Sequence, residues 1–202
     1  MTASRDLTRL LVLIGTFDHH AARGLLDADP TLATATLARA DEFFLADRLV
    51  QVYEGDTALH AAAFSYDTEM AGELLGRGAD VRARNRRGAE PLHAAVMGGP
   101  GAATWDPGAQ CAVLRSLIEA GADVDAPATG GVTPLHRAVR NRCSAAVETL
   151  LRAGADPELA NDQGSTALDR AGWTTGRGGT GAPEAKAEQR IIFELLGARG
   201  RR

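Results

Sequence analysis

Catalysis in this chain would have to come from a short set of side chains. Asp106 and Asp169 are carboxylates that burial could raise into the range of a general base, and Arg140 and Asn141 are donors suited to a developing oxyanion. Trp105 and Trp173, the two tryptophans of the chain, each lie in a loop of glycine, proline and small residues, and Arg177 sits in the second loop. Together these residues define one candidate pocket, with apolar walls and a few donors. No Ser/His/Asp or Cys/His arrangement accompanies them, so proton transfer is the most they support, as in a cofactor-free dehydration or cyclisation. The cysteines, Cys111 and Cys143, fall in no CxxC or Cys/His spacing. Free thiols in a reducing compartment are the simpler reading, and no metal or cofactor is expected. The glycine-rich run from Thr175 to Gly181 lacks the Gly-Lys-Ser/Thr ending of a phosphate loop, and no strand precedes it.

A second chemistry is electrostatic. Arg82-Ala83-Arg84-Asn85-Arg86-Arg87 concentrates four arginines in six residues. Arginine forks suit carboxylates and phosphates, so the run suits an acidic partner, or is simply a solvated turn. Sequence-specific nucleic-acid binding is not expected, because no reading helix accompanies the run and the net charge is −4.

The elements that must position these groups repeat along the chain. Gly-Asp-Thr-Ala-Leu-His-Ala-Ala begins at Gly55, Gly-Ala-Glu-Pro-Leu-His-Ala-Ala at Gly88, Gly-Val-Thr-Pro-Leu-His-Arg-Ala at Gly131 and Gly-Ser-Thr-Ala-Leu-Asp-Arg-Ala at Gly164. The spacings are 33, 43 and 33 residues, the middle one enlarged by an insert. A second motif, Leu-(Leu/Ile)-x-x-Gly-Ala-Asp, keeps the same phase and ends at Asp80, Asp123 and Asp156. Thr57, Thr133 and Thr166 are placed to cap short helices, and Pro91 and Pro134 suit the first helical position. Leu59, Leu92, Leu135 and Leu168 are expected to point inward, and Gly78, Gly121 and Gly154 to supply the left-handed residue that ends each second helix. Aromatics are only 4% of a chain that is 45% hydrophobic, so the core must be built from Ala, Leu and Val, which favours closely packed helices over a β-sandwich.

This pattern resembles the ankyrin repeat, most specifically from about Val52 to Ala160 and in register to about Leu196. The resemblance implies an all-α solenoid of about five stacked helix pairs with β-turn fingers along one edge. It also implies that His60, His93 and His136 hydrogen-bond turn backbone and are structural. Two positions depart from the pattern: Glu90 stands where the capping Thr is expected, and Asp169 where the motif His is expected.

Three segments follow. Residues 1–51 read as an N-terminal capping repeat with a helical extension, 52–160 as three repeats with an insert near 100–109, and 161–202 as a C-terminal capping repeat with an insert near 174–186. At the N-terminus, Arg5–Thr16 has helical spacing, Asp18 can cap a second helix to about Leu26, and Asp29-Pro30 ends it. In the extension, Phe44, Leu45, Leu49 and Val52 give a helical stripe, read either as a helix packed on the stack or as a lid over the finger side. The single apolar run, Leu10–Gly15, is too short for a signal peptide or a membrane span, so a cytoplasmic protein is expected.

Arrays of this kind bind through fingers and inner helix faces. Phase puts Tyr53, Asp56, Phe64, Arg84, Arg86, Arg87, Met97, Arg140 and Asn141 there. The expected function is non-enzymatic protein binding on that face, with an acidic partner surface. The alternative is a small-molecule binder or cofactor-free enzyme built on Trp105, Asp106, Arg140, Asn141, Asp169, Trp173 and Arg177.

Overall fold

Each repeat folds as its signature residues dictate. The computed structural model describes residues 2–46, 50–172 and 183–199. An inner row of helices comprises α1 (Thr2–Gly15), α3 (Ala58–Ser65), α5 (Pro91–Ala95), α7 (Pro134–Arg140) and α9 (Ala167–Ala171). The outer row comprises α2 (His19–Ala28), α4 (Thr68–Gly76), α6 (Pro107–Glu119), α8 (Ser144–Arg152) and α10 (Pro183–Arg199). Each inner helix packs on the next, and α4, α6, α8 and α10 do the same in the outer row. This is the all-α solenoid that the repeat implies, with five helix pairs among the described residues. The core is almost wholly Leu, Ala and Val, as a chain so poor in aromatics requires.

The caps are those the motif needs. The hydroxyls of Thr57, Thr133 and Thr166 accept from the third N–H of α3, α7 and α9. Gly78, Gly121 and Gly154 take φ of +90°, +94° and +97° at the ends of the outer helices. Asp18 caps α2 through the Ala21 N–H, and Asp29 caps the 3-10 turn Pro30–Ala33. The fingers form a ladder: the Arg86 N–H donates to the Glu54 carbonyl (2.8 Å), Thr129 N–H to Arg87 (2.9 Å) and Asp162 N–H to Gly130 (3.1 Å). Gly55 lies at φ +84°, with any Cβ 2.7 Å from the Asn85 Cα, so only glycine lets one finger lie against the next.

The motif histidines tie one repeat to the next. The backbone N–H of Thr57, Glu90 and Thr133 donates to Nδ1 of His60 (3.2 Å), His93 (3.2 Å) and His136 (3.4 Å). Nδ1 is therefore an acceptor, and Nε2 carries the proton. Nε2–H of His60 then donates to the Ala89 carbonyl (3.1 Å), that of His93 to Val132 (3.1 Å) and that of His136 to Ser165 (2.9 Å), each in the following repeat. Asp169, which replaces the fourth histidine, keeps only the local half, accepting from the Thr166 N–H at 2.8 Å.

Two expectations change. The segment expected to be a helical extension is a β-hairpin, with β1 (Phe43–Leu45) paired antiparallel to β2 (Val50–Val52) in the register Phe43–Val52, Phe44–Gln51 and Leu45–Val50. Alternation at period two governs it: Leu45 and Val52 are buried while Phe44 is 55% exposed. Leu49 lies outside the described residues. Leu59, Leu92 and Leu135 are fully buried as expected, but Leu168 is 42% exposed. It occupies the face that a following repeat covers elsewhere, and α9 is the last inner helix among the described residues.

The histidine relay gives the fold a pH dependence. Burial, before any charge effect, lowers the pKa of His60, His93 and His136, that of His93 to about 3. The unfolded chain titrates at the ordinary histidine value and binds more protons below it. Stability is therefore complete above about pH 6.5 and is lost as pH falls toward the folded values. Urea unfolding should show a weaker fold at pH 5 than at pH 7, and His93→Gln should remove about 2 kcal/mol of that difference. An equal pH 5 loss in the variant would contradict the assignment.

Candidate functional site

A column of equivalent positions runs down the inner helices. The residue after each motif histidine, or after Asp169, is Ala61, Ala94, Arg137 and Arg170 in successive repeats. Two alanines leave a hollow on the inner face, and Arg137 lines its far side. The resulting groove has a volume of about 630 Å³ counted to its open mouth. Phe64 and Met97 supply apolar lining from α3 and from just beyond α5, and Tyr53, Asp56 and Asn85 contribute from the fingers. The hairpin adds a wall through Leu45, Val50, Gln51 and Val52.

The polar groups of this groove fall into two sets. The first is held internally. Asp56 is buried, and its carboxylate accepts from the Tyr53 N–H (2.7 Å) and the Asn85 amide (2.8 Å). Gln51 donates to the carbonyls of Phe43 and Val52, both at 2.9 Å. The second set is cationic. Among the described residues Arg137 makes one long contact, 3.5 Å to the His93 carbonyl, and pairs with no carboxylate. Burial, followed by the positive charges of Arg140 and Arg87, pushes its pKa down to about 10. It remains a guanidinium at neutral pH, and one whose charge is poorly compensated.

The arginine-rich finger is largely committed to the fold. Arg86 forms a two-pronged pair with Glu42, which also accepts the Glu54 N–H at 2.9 Å. The Arg86 hydrogen bond holds the Glu42 carboxyl below the usual carboxylate range. This pair ties the base of the hairpin to a finger. Arg84 pairs with Glu90 (3.0 Å), the residue that replaced the capping threonine, and Arg82 donates to the Gly121 carbonyl (2.9 Å). Arg86 and Arg87 each lie 5.0 Å from the centre of the Tyr53 ring. Of the run, Arg82 and Arg87 are exposed and, among the described residues, make no ion pair.

Of the expected partner-binding residues, Tyr53, Asp56, Phe64 and Met97 come together in the groove. Arg84, Arg86 and Arg87 flank it on their finger, and Arg140 is exposed nearby. Asn141 is buried, its amide donating to the Val96 carbonyl at 2.8 Å. Sequence reasoning missed Arg137 and the hairpin wall. The signal for Arg137 was the change from Ala to Arg after the motif histidine; the signal for the hairpin was the β-rich Phe43-Phe44-Leu45 and Val50-Gln51-Val52.

The residues of the alternative pocket are occupied otherwise. The first insert does separate α5 from α6 and lies against the turn at 140–143, where the Cys143 thiol donates to the Gly98 carbonyl at 3.2 Å. Trp105 packs against the core, and its indole N–H donates to Gln110 Oε1 at 3.1 Å. The buried Gln110 amide in turn donates to the carbonyls of Ala95 (3.0 Å) and Met97 (3.2 Å), and the Tyr66 hydroxyl also donates to Met97. Asp106 caps α6 through the Ala109 N–H (3.0 Å), and Asp169 caps α9. Hydrogen bonds from Thr166 lower the Asp169 pKa, the opposite of what a general base needs. Trp173 and Arg177 lie outside the described residues. The Cys143 thiol is pushed up to about 12 by burial, so it is inert, and Cys111 is buried too. Among the described residues no cluster of His, Cys, Asp or Glu could hold a metal ion, and no helix is long and apolar enough to cross a membrane.

Two family models match the chain. One, of ankyrin repeats in three copies, covers residues 19–126; the other, of ankyrin repeats in many copies, covers residues 117–171. The chain is also 40% identical over 115 residues to a mouse protein, ankyrin repeat and SOCS box protein 16. That match takes in 56% of this chain and 24% of the mouse protein, so the chain corresponds to about a quarter of that relative.

The Gln110 network predicts how the first insert is held. With Trp173→Phe as background, Trp105 is the one fluorophore of its kind. Gln110→Ala should then shift its emission to the red and lower unfolding stability by about 2 kcal/mol, since the Ala95 carbonyl and the indole N–H lose the Gln110 amide while the Met97 carbonyl keeps the Tyr66 hydroxyl. An unchanged emission spectrum would show that packing alone pins the insert.

Proposed function

The chain belongs to the ankyrin-repeat family, and from that premise we propose that it is a non-enzymatic module that binds a protein on its concave face. Ankyrin repeats are in general protein-interaction modules. The observation that carries the reading is the groove on the inner face, lined by apolar side chains from successive repeats and rimmed by arginines. Phe64 and Met97 are half-buried there without filling it, as anchor-receiving surfaces require. Tyr53, with two guanidinium groups over its ring, gives an aromatic edge. The partner-binding set proposed is therefore Tyr53, Asp56, Phe64, Arg84, Arg86, Arg87, Met97 and Arg140, with Arg137 added. Asn141 acts by fixing the turn that carries Arg140. In this reading residues 1–51 and 161–202 are the caps and 52–160 the central repeats, and the site sits where the first cap meets them. The small-molecule or enzymatic alternative gains no support from Trp105, Asp106 and Asp169, whose polar groups serve caps and a loop anchor.

Native mass spectrometry of the protein isolated gently from the cells that make it tests this. A bound protein-sized mass should be present, and Phe64→Ser combined with Met97→Ser should reduce its occupancy at least about tenfold while the thermal transition persists. Retention of the bound protein by the folded double variant would overturn the concave-face assignment. A retained small mass that disappears with Trp105→Ala would transfer the function to the inserts.

A further inference from the structure

We infer that the groove anchors its protein partner by an internal acidic side chain next to a large apolar one, the carboxylate meeting the Arg137 guanidinium and the apolar group lying on Phe64 and Met97. This rests on the protein-binding reading and specifies the chemistry of the partner. Three arginines, Arg87, Arg137 and Arg140, are near enough that the first and last depress the pKa of the middle one. Among the described residues none of the three pairs with a carboxylate, whereas Arg86 takes Glu42 and Arg84 takes Glu90. Asp56 lies in the same groove, and its charge offsets that of Arg137 only in part. No ion pair joins them, and both Asp56 oxygens are engaged, by the Tyr53 N–H and the Asn85 amide.

The cation is therefore held by the packing of the inner helices, with most of its N–H groups unspent, and it faces an apolar hollow. A guanidinium in that setting forms a stronger pair than it would in open water, and its fork fits a carboxylate on two prongs. The hollow beside it exists because the two preceding positions of the column are Ala61 and Ala94. Larger residues there would fill it. Partner and groove are thus complementary in charge at one end and in apolarity at the other.

The source of the carboxylate follows from what the groove lacks. Chain-terminal carboxylates are captured by nests of backbone N–H groups. Here the Asp56 and Thr57 N–H groups at the groove floor are spent on the Tyr53 carbonyl and the His60 ring, and the His60 N–H on Thr57. The side-chain fork of Arg137 remains, which suits an Asp or Glu within the partner's chain.

Selection of a phage-displayed library of random 12-residue peptides on the full-length protein, in parallel with Arg137→Ala, tests this. Alanine already stands at the two preceding positions of the column, so the variant keeps the helix surface; if it fails to fold, Arg137→Gln replaces it. The wild type should enrich peptides with Asp or Glu within two residues of Leu, Ile, Met or Phe. Synthetic peptides from that pool should lose at least about tenfold in affinity on Arg137→Ala and on Glu→Gln in the peptide, and the two losses should not add. Enriched peptides that lack an acidic residue, or bind Arg137→Ala equally well, would overturn the anchor while leaving the concave face as the site, provided Phe64→Ser with Met97→Ser still abolishes binding. Peptides indifferent to that double variant would overturn both readings, and so would a library that yields no binder. Hexanoate binding that depends on Arg137, with no acidic peptide bound, would assign the groove to a free carboxylate and overturn the inference.

Discussion

The interaction on which the rest of this structure depends is the two-sided hydrogen bonding of the motif histidines. Each ring accepts from its own repeat at Nδ1 and donates to the next at Nε2, so each repeat presents a buried or half-buried carbonyl that its predecessor satisfies. A buried acceptor without a partner is costly, and a histidine proton in place of the Nδ1 lone pair would face an N–H donor. The relay therefore fixes tautomer, spacing and order at once. The finger ladder, with one N–H per finger reaching the previous finger's carbonyl, repeats the same dependence between neighbouring repeats. Stability in such a chain belongs to interfaces between repeats as much as to the repeats.

That regular frame makes its irregularities informative. Where the column after the histidine carries alanine, the inner face is hollow, and where it carries Arg137 the hollow has a charged end. Where the capping threonine is replaced by Glu90, the carboxylate binds Arg84 and removes one cation from the finger. Where the frame is interrupted, Gln110 gathers the carbonyls at the end of α5 and the Trp105 N–H of the insert into one network. The hairpin at 43–52 adds a wall to one end of the groove and is fastened through Glu42 to Arg86. Charges that look available in a run of arginines are thus mostly spent on holding neighbouring pieces together.

How much of this could be read beforehand depends on the range of the interaction. The helices, caps and glycine stops follow from contacts within a few residues: Thr57 with His60, Asp18 with Ala21, Gly78 with the end of its own helix. A 33-residue period turns such local rules into a fold, because identical units can stack in one way. The hairpin was misread because Phe44, Leu45, Leu49 and Val52 satisfy a helical stripe as well as a β alternation. The choice between them is made by the burial of Leu45 and Val52 against the stack, at a distance local spacing does not register.

The sequence by itself determined the solenoid, the order of its repeats, the structural role of the motif histidines, and the fingers and inner faces as the surface where Tyr53, Phe64 and Met97 would meet. Each depends on residue type and phase alone. Only the tertiary structure decided which charges remain unspent. Arg86 and Glu42 are 44 positions apart, and Arg137 meets the His93 carbonyl across the same separation. Pairing over such distances is set by how the stack brings side chains together. The compensation of a charge is a property of its neighbours in space, so the shift of the acidic-partner reading from the arginine run to Arg137 could come only from the folded chain.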